Sequence, residues 1–259
     1  MELLSIKKLS ATGMAIAAIS SSSAFGAVTI DLKDQWSSSL GLGNSLSFSA
    51  GGIGVTVYGF GETGANGWLE PSEVQSFLSG IGSCNADEGP RGGPNGDPDN
   101  NCVSGQHEVD TIGADELILF SFDQSVNLES ITVDPFDQNP DGPDGDPNDR
   151  DINYWVGNGA VPDLSSSALS DLDTLFGAGT FIDGSESFDP ITHLLSGSGN
   201  LLLVTGNYLS DNCVITGPGE ICDSWKIADV TVSAIPVPAA AWLFVSAIAG
   251  LAGIRKAKA

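Results

Sequence analysis

The residues best suited to chemistry lie in one Asp-rich segment in the middle of the 259-residue chain. It begins Asp137-Gln-Asn139-Pro-Asp141-Gly142 and adds further carboxylates directly afterwards. Calcium is bound by about six to eight oxygens, and alternating Asp and Asn with a turn-forming Gly suit that requirement. The segment therefore predicts a calcium site, with ligands from Asp137, Asn139, Asp141, Asp144, Asp146 and Asp149.

A true EF-hand is not expected in this segment, because its twelfth position is Asn148 where that motif has a bidentate Glu. The alternative to a calcium site is a solvated, proline-stiffened turn, since Asp, Asn, Gly and Pro are also the commonest turn residues. Composition alone supports both interpretations.

No motif for enzymatic catalysis stands out elsewhere. The stretch Gly59-Phe-Gly61-Glu-Thr-Gly64 has the spacing of a dinucleotide-binding loop, but the residues after it do not open a helix, so we interpret it as a glycine turn. No serine has glycine both two positions before and two positions after it, which removes the nucleophile-elbow signature. We predict no catalytic residues, no cofactor besides calcium, and no enzymatic activity.

Aromatic residues close to the Asp-rich segment suggest a second kind of chemistry. Tyr154 and Trp155 could stack on a sugar ring, and Trp36 or Trp68 could do the same. A carbohydrate-binding site of the lectin kind is therefore a hypothesis for this chain. The alternative is that these side chains belong to the core, which is the usual place of an aromatic residue in a strand.

The N-terminus predicts export. Residues 1–26 combine Lys7 and Lys8 with a short apolar stretch and small residues at Ala24 and Gly26, as in a signal peptide read by the Sec machinery and signal peptidase. The remaining domain, 27–234, keeps 32 of the 33 acidic residues and only four basic ones, a formal net charge of −28. Such a surface repels nucleic acid and favours cations or basic partners; the alternative is that the acidity serves solubility alone.

Four cysteines form two close pairs in this exported domain. An even number at short spacing in an oxidising compartment predicts disulfides. Sequential pairing is the simplest of the three possible connectivities, joining Cys84 to Cys102 and Cys213 to Cys222. Zinc is a poor alternative because the chain has no C-x-x-C motif.

Short segments rich in Val, Ile, Phe, Tyr and Thr, separated by Gly, Asp, Asn and Pro, predict an all-β domain, an antiparallel β-sandwich of jelly-roll-like form. Glu116 to Phe122 is apolar on both faces and should be a central strand, with Leu128 to Val133 as its neighbour across a turn. Short helices are expected at Pro71 to Ser79 and Ser165 to Phe176. The remaining predicted strands are Val28 to Leu32, Leu46 to Ala50, Gly54 to Phe60, Ile152 to Val156, Leu201 to Tyr208 and Trp225 to Val232.

Three features follow one another at the C-terminus, residues 235–259. The motif Ile235, Pro236, Val237, Pro238 and Ala239 favours an extended backbone. The apolar run 240–254 predicts a transmembrane helix, somewhat short for a hydrocarbon core of about 30 Å. The basic tail 255–259 would stay in the cytoplasm and leave the domain outside. The alternative is an ordinary tail anchor.

This tail resembles the PEP-CTERM sorting domain in its Val-Pro-Leu-Pro-Ala variant, from which it differs at two positions. The resemblance implies an exosortase as processing partner, transient insertion in the inner membrane of a Gram-negative bacterium, and release to the cell surface or matrix. Residues 105–155 resemble the bodies of such surface proteins, in Gly105-Gln-His-Glu-Val-Asp110 and in Asp149-Arg-Asp-Ile152. That implies a structural or adhesive role with extracellular polysaccharide in a biofilm.

Overall fold

Twelve strands join in one sheet in a computed structural model that describes residues 26–34, 41–63, 67–85, 109–110, 115–135, 150–165, 167–184, 189–207 and 224–235. One compact unit spans Phe25–Ile235. The predicted signal peptide, transmembrane helix and basic tail lie outside the described residues. Within the described ranges, no helix has the length and apolar character needed to cross a membrane.

In the part of the chain that the structure describes, one short α-helix, α1 (Leu172–Phe176), follows a 3-10 turn at Leu169–Asp171. In chain order the strands are β1 (Val28–Asp31), β2 (Ser45–Ala50), β3 (Ile53–Thr63), β4 (Trp68–Phe77), β5 (Gly80–Cys84), β6 (Val109–Asp110), β7 (Glu116–Pro135), β8 (Ile152–Gly157), β9 (Thr180–Ile182), β10 (Ile191–Leu194), β11 (Ser198–Thr205) and β12 (Ser224–Ala234).

Five of these strands close into a barrel. β3 pairs with β4 and β7, β4 pairs with β5, and β12 pairs with both β5 and β7, so the ring has no free edge. All pairings in the described part of the chain are antiparallel. The all-β prediction is confirmed. Six of the eight predicted segments lie wholly within strands, whereas Val28 to Leu32 extends one residue past β1 and Leu201 to Tyr208 extends past β11, which ends at Thr205.

The longest strand, β7, holds the two halves of the sheet together. Its first half lies between β3 and β11, and its second half lies between β12 and β10. The expectation of a central strand is therefore correct. The predicted turn at residues 123–127 is wrong, because Val126 is fully buried and its backbone pairs with Gly199 on one side and Ala234 on the other.

Both faces of β7 are covered, which explains its two apolar faces. Ile118, Phe120 and Phe122 belong to the larger hydrophobic cluster, which includes the inward-facing residues of β3 and β12. Leu117 and Leu119 belong to a second cluster beneath the connection between β8 and β9. That connection contributes its apolar side chains as a lid over the sheet, namely Leu164, Leu169 and Leu172.

The first predicted helix, Pro71 to Ser79, is wrong. This segment lies in β4 and the turn after it, because its backbone pairs first with β3 and then with β5. Val74 packs into the larger cluster, while Leu69 packs into the second one on the opposite side of the strand. Sheet pairing on both sides and burial on both faces outweigh the local helical spacing.

The second predicted helix, Ser165 to Phe176, is correct only in its last part. The helical residues are 169–176, and the helix ends at Gly177 with a φ of +91°, as expected for a glycine stop. Asp163 accepts a hydrogen bond from the Ser165 N–H at 3.0 Å and so forms a turn ahead of the helix.

Candidate functional site

In the sequence, the Asp-rich segment connects the end of β7 to the start of β8. Its predicted calcium ligands, Asp137, Asn139, Asp141, Asp144, Asp146 and Asp149, lie outside the described residues. In the ranges that the structure describes, no group of three or more His, Cys, Asp or Glu is arranged to hold a metal ion. The structure does describe the residues on either side of the segment. We call these residues, Asp134 on the β7 side and Arg150 with Asp151 on the β8 side, the base of the segment.

On the returning side the base is held by a buried network. The Asp151 carboxylate accepts hydrogen bonds from the Gly184 N–H at 2.7 Å and from the Asn207 side chain at 3.3 Å. The Asp151 carbonyl accepts another from the Trp225 indole at 3.3 Å. Arg150 donates to the Asp189 carbonyl at 2.5 Å. The chain therefore returns from the Asp-rich segment onto backbone that is tied to four separate parts of the fold.

On the β7 side of the base, three basic residues act electrostatically on Asp134. Burial raises the pKa of Asp134, and Lys33, Arg150 and Lys226 oppose that rise by lowering it. These three are among the four basic residues of the exported domain. The ammonium of Lys226, which is fully buried, also lies 5.1 Å from the centre of the Phe77 ring. Three basic side chains thus act on Asp134, three positions before the Asp-rich segment begins in the sequence.

His193, beside this base, was not singled out by the sequence. It is 4% exposed and lies opposite Ile131 in the pairing of β10 with β7. Burial is the main cause that lowers the pKa of His193; the Arg150 charge acts in the same direction, while a hydrogen bond to the Arg150 backbone and the Asp151 charge oppose it. A neutral imidazole within a core supports a structural role for this histidine.

Tyr154 and Trp155, the two predicted glycan contacts, are buried on opposite faces of β8, with exposed fractions of 2% and 1%. The Tyr154 hydroxyl accepts a hydrogen bond from the Ser196 N–H at 3.1 Å. The Trp155 indole donates to the Asp173 carboxylate at 2.8 Å, and this bond is the main cause that lowers the pKa of Asp173. Neither ring has a face open to a sugar, so their burial contradicts this assignment.

An exposed aromatic residue does lie elsewhere, in a cleft lined by Leu42, Trp68, Glu70, Pro71 and Ser165. We refer to it as the Trp68 cleft. Trp68 is 48% exposed at the start of β4. The sequence named Trp68 as one of several aromatics able to stack on a sugar, but only its exposure in the fold distinguishes it from Trp155.

The remaining predicted sites are described only in part. Cys84 is fully buried at the end of β5 and is not a free thiol, whereas Cys102, Cys213 and Cys222 lie outside the described residues. The pairing of the cysteines stays a prediction. Ile235, the first residue of the sorting motif, follows β12 directly and is 40% exposed; the residues after it lie outside the described ranges.

Comparison with known proteins adds no family to these observations, since no protein-family model, no curated protein and no solved structure matches the chain. The candidate sites therefore rest on the sequence and on the geometry of the described residues.

Proposed function

We propose that this chain is an exported surface protein of a Gram-negative bacterium. After cleavage of the signal peptide 1–26 by signal peptidase, residues 235–259 hold it briefly in the inner membrane, where an exosortase cuts it. The domain then reaches the cell surface or the extracellular polysaccharide, where its role is structural or adhesive and not enzymatic. The support is the three-part tail together with the place at which the fold ends.

That place is the observation that carries the proposal. β12 is the last strand of the described residues and its final residue is Ala234, one position before the predicted sorting motif. Ile235 is 40% exposed, so a processing enzyme can approach the motif without unfolding the sheet. Cleavage after β12 would leave all pairings of that strand intact, and the released domain would keep its fold.

The finer fold assignment also belongs to this proposal. The two halves of β7 join different neighbours, β3 and β11 in one case and β12 and β10 in the other. This division supports a sandwich-like arrangement of two layers around the closed barrel. Such a domain offers broad, rigid faces, which suit a structural component of a matrix.

Processing predicts a defined new C-terminus. Mass spectrometry of the protein recovered from the surface or medium of the producing cells should find its last residue within Pro236 to Ala239. Replacing both prolines, Pro236→Ala with Pro238→Ala, should leave the tail in place and hold the protein in the inner membrane, because an extended recognition motif is lost.

A matched control changes the adjoining end of the domain, Ser233→Ala in β12, and should be processed normally. Recovery of the native protein with an intact Ala259 would contradict the proposal and leave an ordinary tail anchor. That result would not depend on whether the domain binds any ligand.

We also propose that calcium braces the Asp-rich segment. Its support is the ligand pattern in the sequence and the tied base formed by Arg150 and Asp151. Extracellular calcium modules bind with dissociation constants of about 0.1–1 mM, so 5 mM calcium stabilises the folded state by about 1–2 kcal/mol. For a domain of this size, that corresponds to a rise in melting temperature of about 2–8 °C.

The measurement is thermal unfolding of the exported protein, purified under oxidising conditions, with calcium or with chelator. The double variant Asp141→Asn with Asp144→Asn should lose the response, whereas Asp123→Asn, at an exposed position of β7, should keep it. An identical melting temperature in calcium and chelator would sink the calcium proposal.

A carbohydrate-binding module is the second candidate function. Its specific support is the Trp68 cleft, which replaces Tyr154 and Trp155 as the place where a sugar could stack.

A further inference from the structure

We infer that the Trp68 cleft is a binding site for neutral polysaccharide. A pyranose ring would stack on the exposed indole of Trp68, and its hydroxyl groups would donate hydrogen bonds to the Glu70 carboxylate. This inference rests on the proposed delivery of the domain to the polysaccharide layer, and it adds the site and the chemical class of the ligand.

Trp68 is far more exposed than the other two tryptophans that the structure describes. Trp155 and Trp225 are buried to 1% and 0% exposed, whereas Trp68 is 48% exposed. A large aromatic side chain left in a concave, solvent-facing position is typical of a ligand site, since its burial on binding is favourable. The indole offers a flat apolar face to ligand and a polar N–H at its edge, which suits a ring with one apolar C–H face.

The first wall of the cleft is fastened to β4. The turn that carries Leu42 is tied down by the Gly43 N–H, which donates to the Ser72 carbonyl at 2.9 Å. Asn44 adds two hydrogen bonds to the backbone of Val74, accepting at 2.7 Å and donating at 2.9 Å. This wall cannot move without breaking backbone contacts of the strand that carries Trp68.

The second wall is fastened to the same strand from the other direction. The Leu69 N–H donates to the Ser167 carbonyl at 2.8 Å, and the Ser167 N–H donates to the Leu164 carbonyl at 2.9 Å. Leu69 and Leu164 are both fully buried in the second cluster. The cleft is therefore held open by its own scaffold, and a preorganised site loses less conformational entropy when ligand binds.

The polar lining selects the class of ligand. Glu70 and Ser165 are both exposed beside the indole and offer a carboxylate acceptor and a hydroxyl that donates or accepts. Hydroxyl groups that donate to a carboxylate make strong hydrogen bonds. The exported domain carries a net charge of −28, and the described residues that line the cleft include no basic side chain, so anionic polysaccharides are repelled. The polysaccharide that suits the cleft is therefore a neutral chain rich in hydroxyl groups.

The test is affinity electrophoresis of the exported full-length protein, solubilised in mild detergent, in native gels containing hydroxyethyl cellulose, galactomannan or dextran. We expect retardation in at least one neutral gel and none in alginate. Trp68→Ala should weaken the retardation at least about tenfold, as for a central aromatic anchor. Trp68→Phe should retain part of it, and Glu70→Gln should weaken it while leaving the stacking face.

The matched control is Phe181→Ala, because Phe181 in β9 is 47% exposed and lies outside the cleft lining. It should be retarded like the unchanged protein, and all variants should show the same melting temperature. Equal retardation of Trp68→Ala and the unchanged protein would overturn the inference, and so would free migration of the unchanged protein in every neutral gel. The mature C-terminus, measured on the same material, tests the sorting proposal separately.

Discussion

Trp155→Ala is expected to lower the free energy of unfolding by about 3–5 kcal/mol, the range for removing a large buried aromatic side chain. Trp155 is 1% exposed and packs in the second cluster with Leu172 and Leu203. Its loss opens a cavity between β8 and the connection that covers it. Denaturant unfolding of the exported protein measures the change.

Two matched variants separate packing from surface effects. Trp155→Phe keeps most of the apolar volume but loses the indole hydrogen bond to Asp173, so it should lose a smaller part of the stability than Trp155→Ala. Phe181→Ala removes an exposed aromatic side chain and should change stability by about 0.5 kcal/mol or less. If Trp155→Ala unfolded like the unchanged protein, the Trp155 side chain would not be part of the core. Its ring could then stack on a sugar, as the sequence predicts.

Trp155 also shows why the sequence pattern predicted glycan contacts at aromatic residues that are buried in the fold. Its position beside the Asp-rich segment made it a candidate, yet β8 is covered on both faces, and burial depends on the lid formed by Leu164, Leu169 and Leu172. The local pattern of that lid predicts a short helix, but it does not say which part of the sheet the helix covers. Trp68 looks no different in the sequence, and only its place at the start of β4 leaves it exposed.

The strands themselves were predictable because their patterns are local. Alternating burial in β3, where Val55 and Val57 are buried in the larger cluster and Thr56 and Tyr58 are only partly buried, follows directly from the order of residues. The same holds for the two apolar faces of β7. Both patterns arise within fewer than ten consecutive residues, so no knowledge of neighbours is needed.

Closure of the barrel was not predictable for the opposite reason. It depends on pairing between β7 and β12, where the side chain of Asn127 meets Ser233 from 106 positions away. No local pattern says which strands are neighbours, and the choice is made by burial of both partners. Pairing also decides the state of Pro71 to Ser79, which lies in a strand because its backbone pairs with the neighbouring β3 and β5.

The second large effect concerns Asp115, which is 5% exposed just before β7. Burial, and secondarily the charge of Glu62, raise the pKa of Asp115 from 3.8 to about 7. Below about pH 4 the carboxyl is protonated in the folded and unfolded chain alike. As the pH rises towards 7 the unfolded chain releases this proton while the folded chain retains it, so folding stability falls; above 7 the loss is complete.

A rise from 3.8 to about 7 is equivalent to roughly 4 kcal/mol. Asp115→Asn has nearly the same shape and no charge, so at pH 8 it should be more stable than the unchanged protein by about 2–4 kcal/mol. At pH 4 the two should unfold alike. Denaturant unfolding across this pH range measures the difference between them, in which contributions from other titrating groups cancel.

The control is Asp123→Asn, which removes a carboxylate at an exposed position of the same strand and should not reproduce the stabilisation at pH 8. Asp134 and Asp229 also have raised pKa values, mainly because of burial, so the Asp115→Asn protein should still lose some stability as the pH rises. Parallel curves for Asp115→Asn and the unchanged protein would show that the Asp115 carboxyl ionises in the folded state as it does in water. If the two stability curves instead coincide only at low pH, the Asp115 carboxyl stays neutral in the folded domain up to about pH 7, at the end of the barrel where β3 and β7 meet.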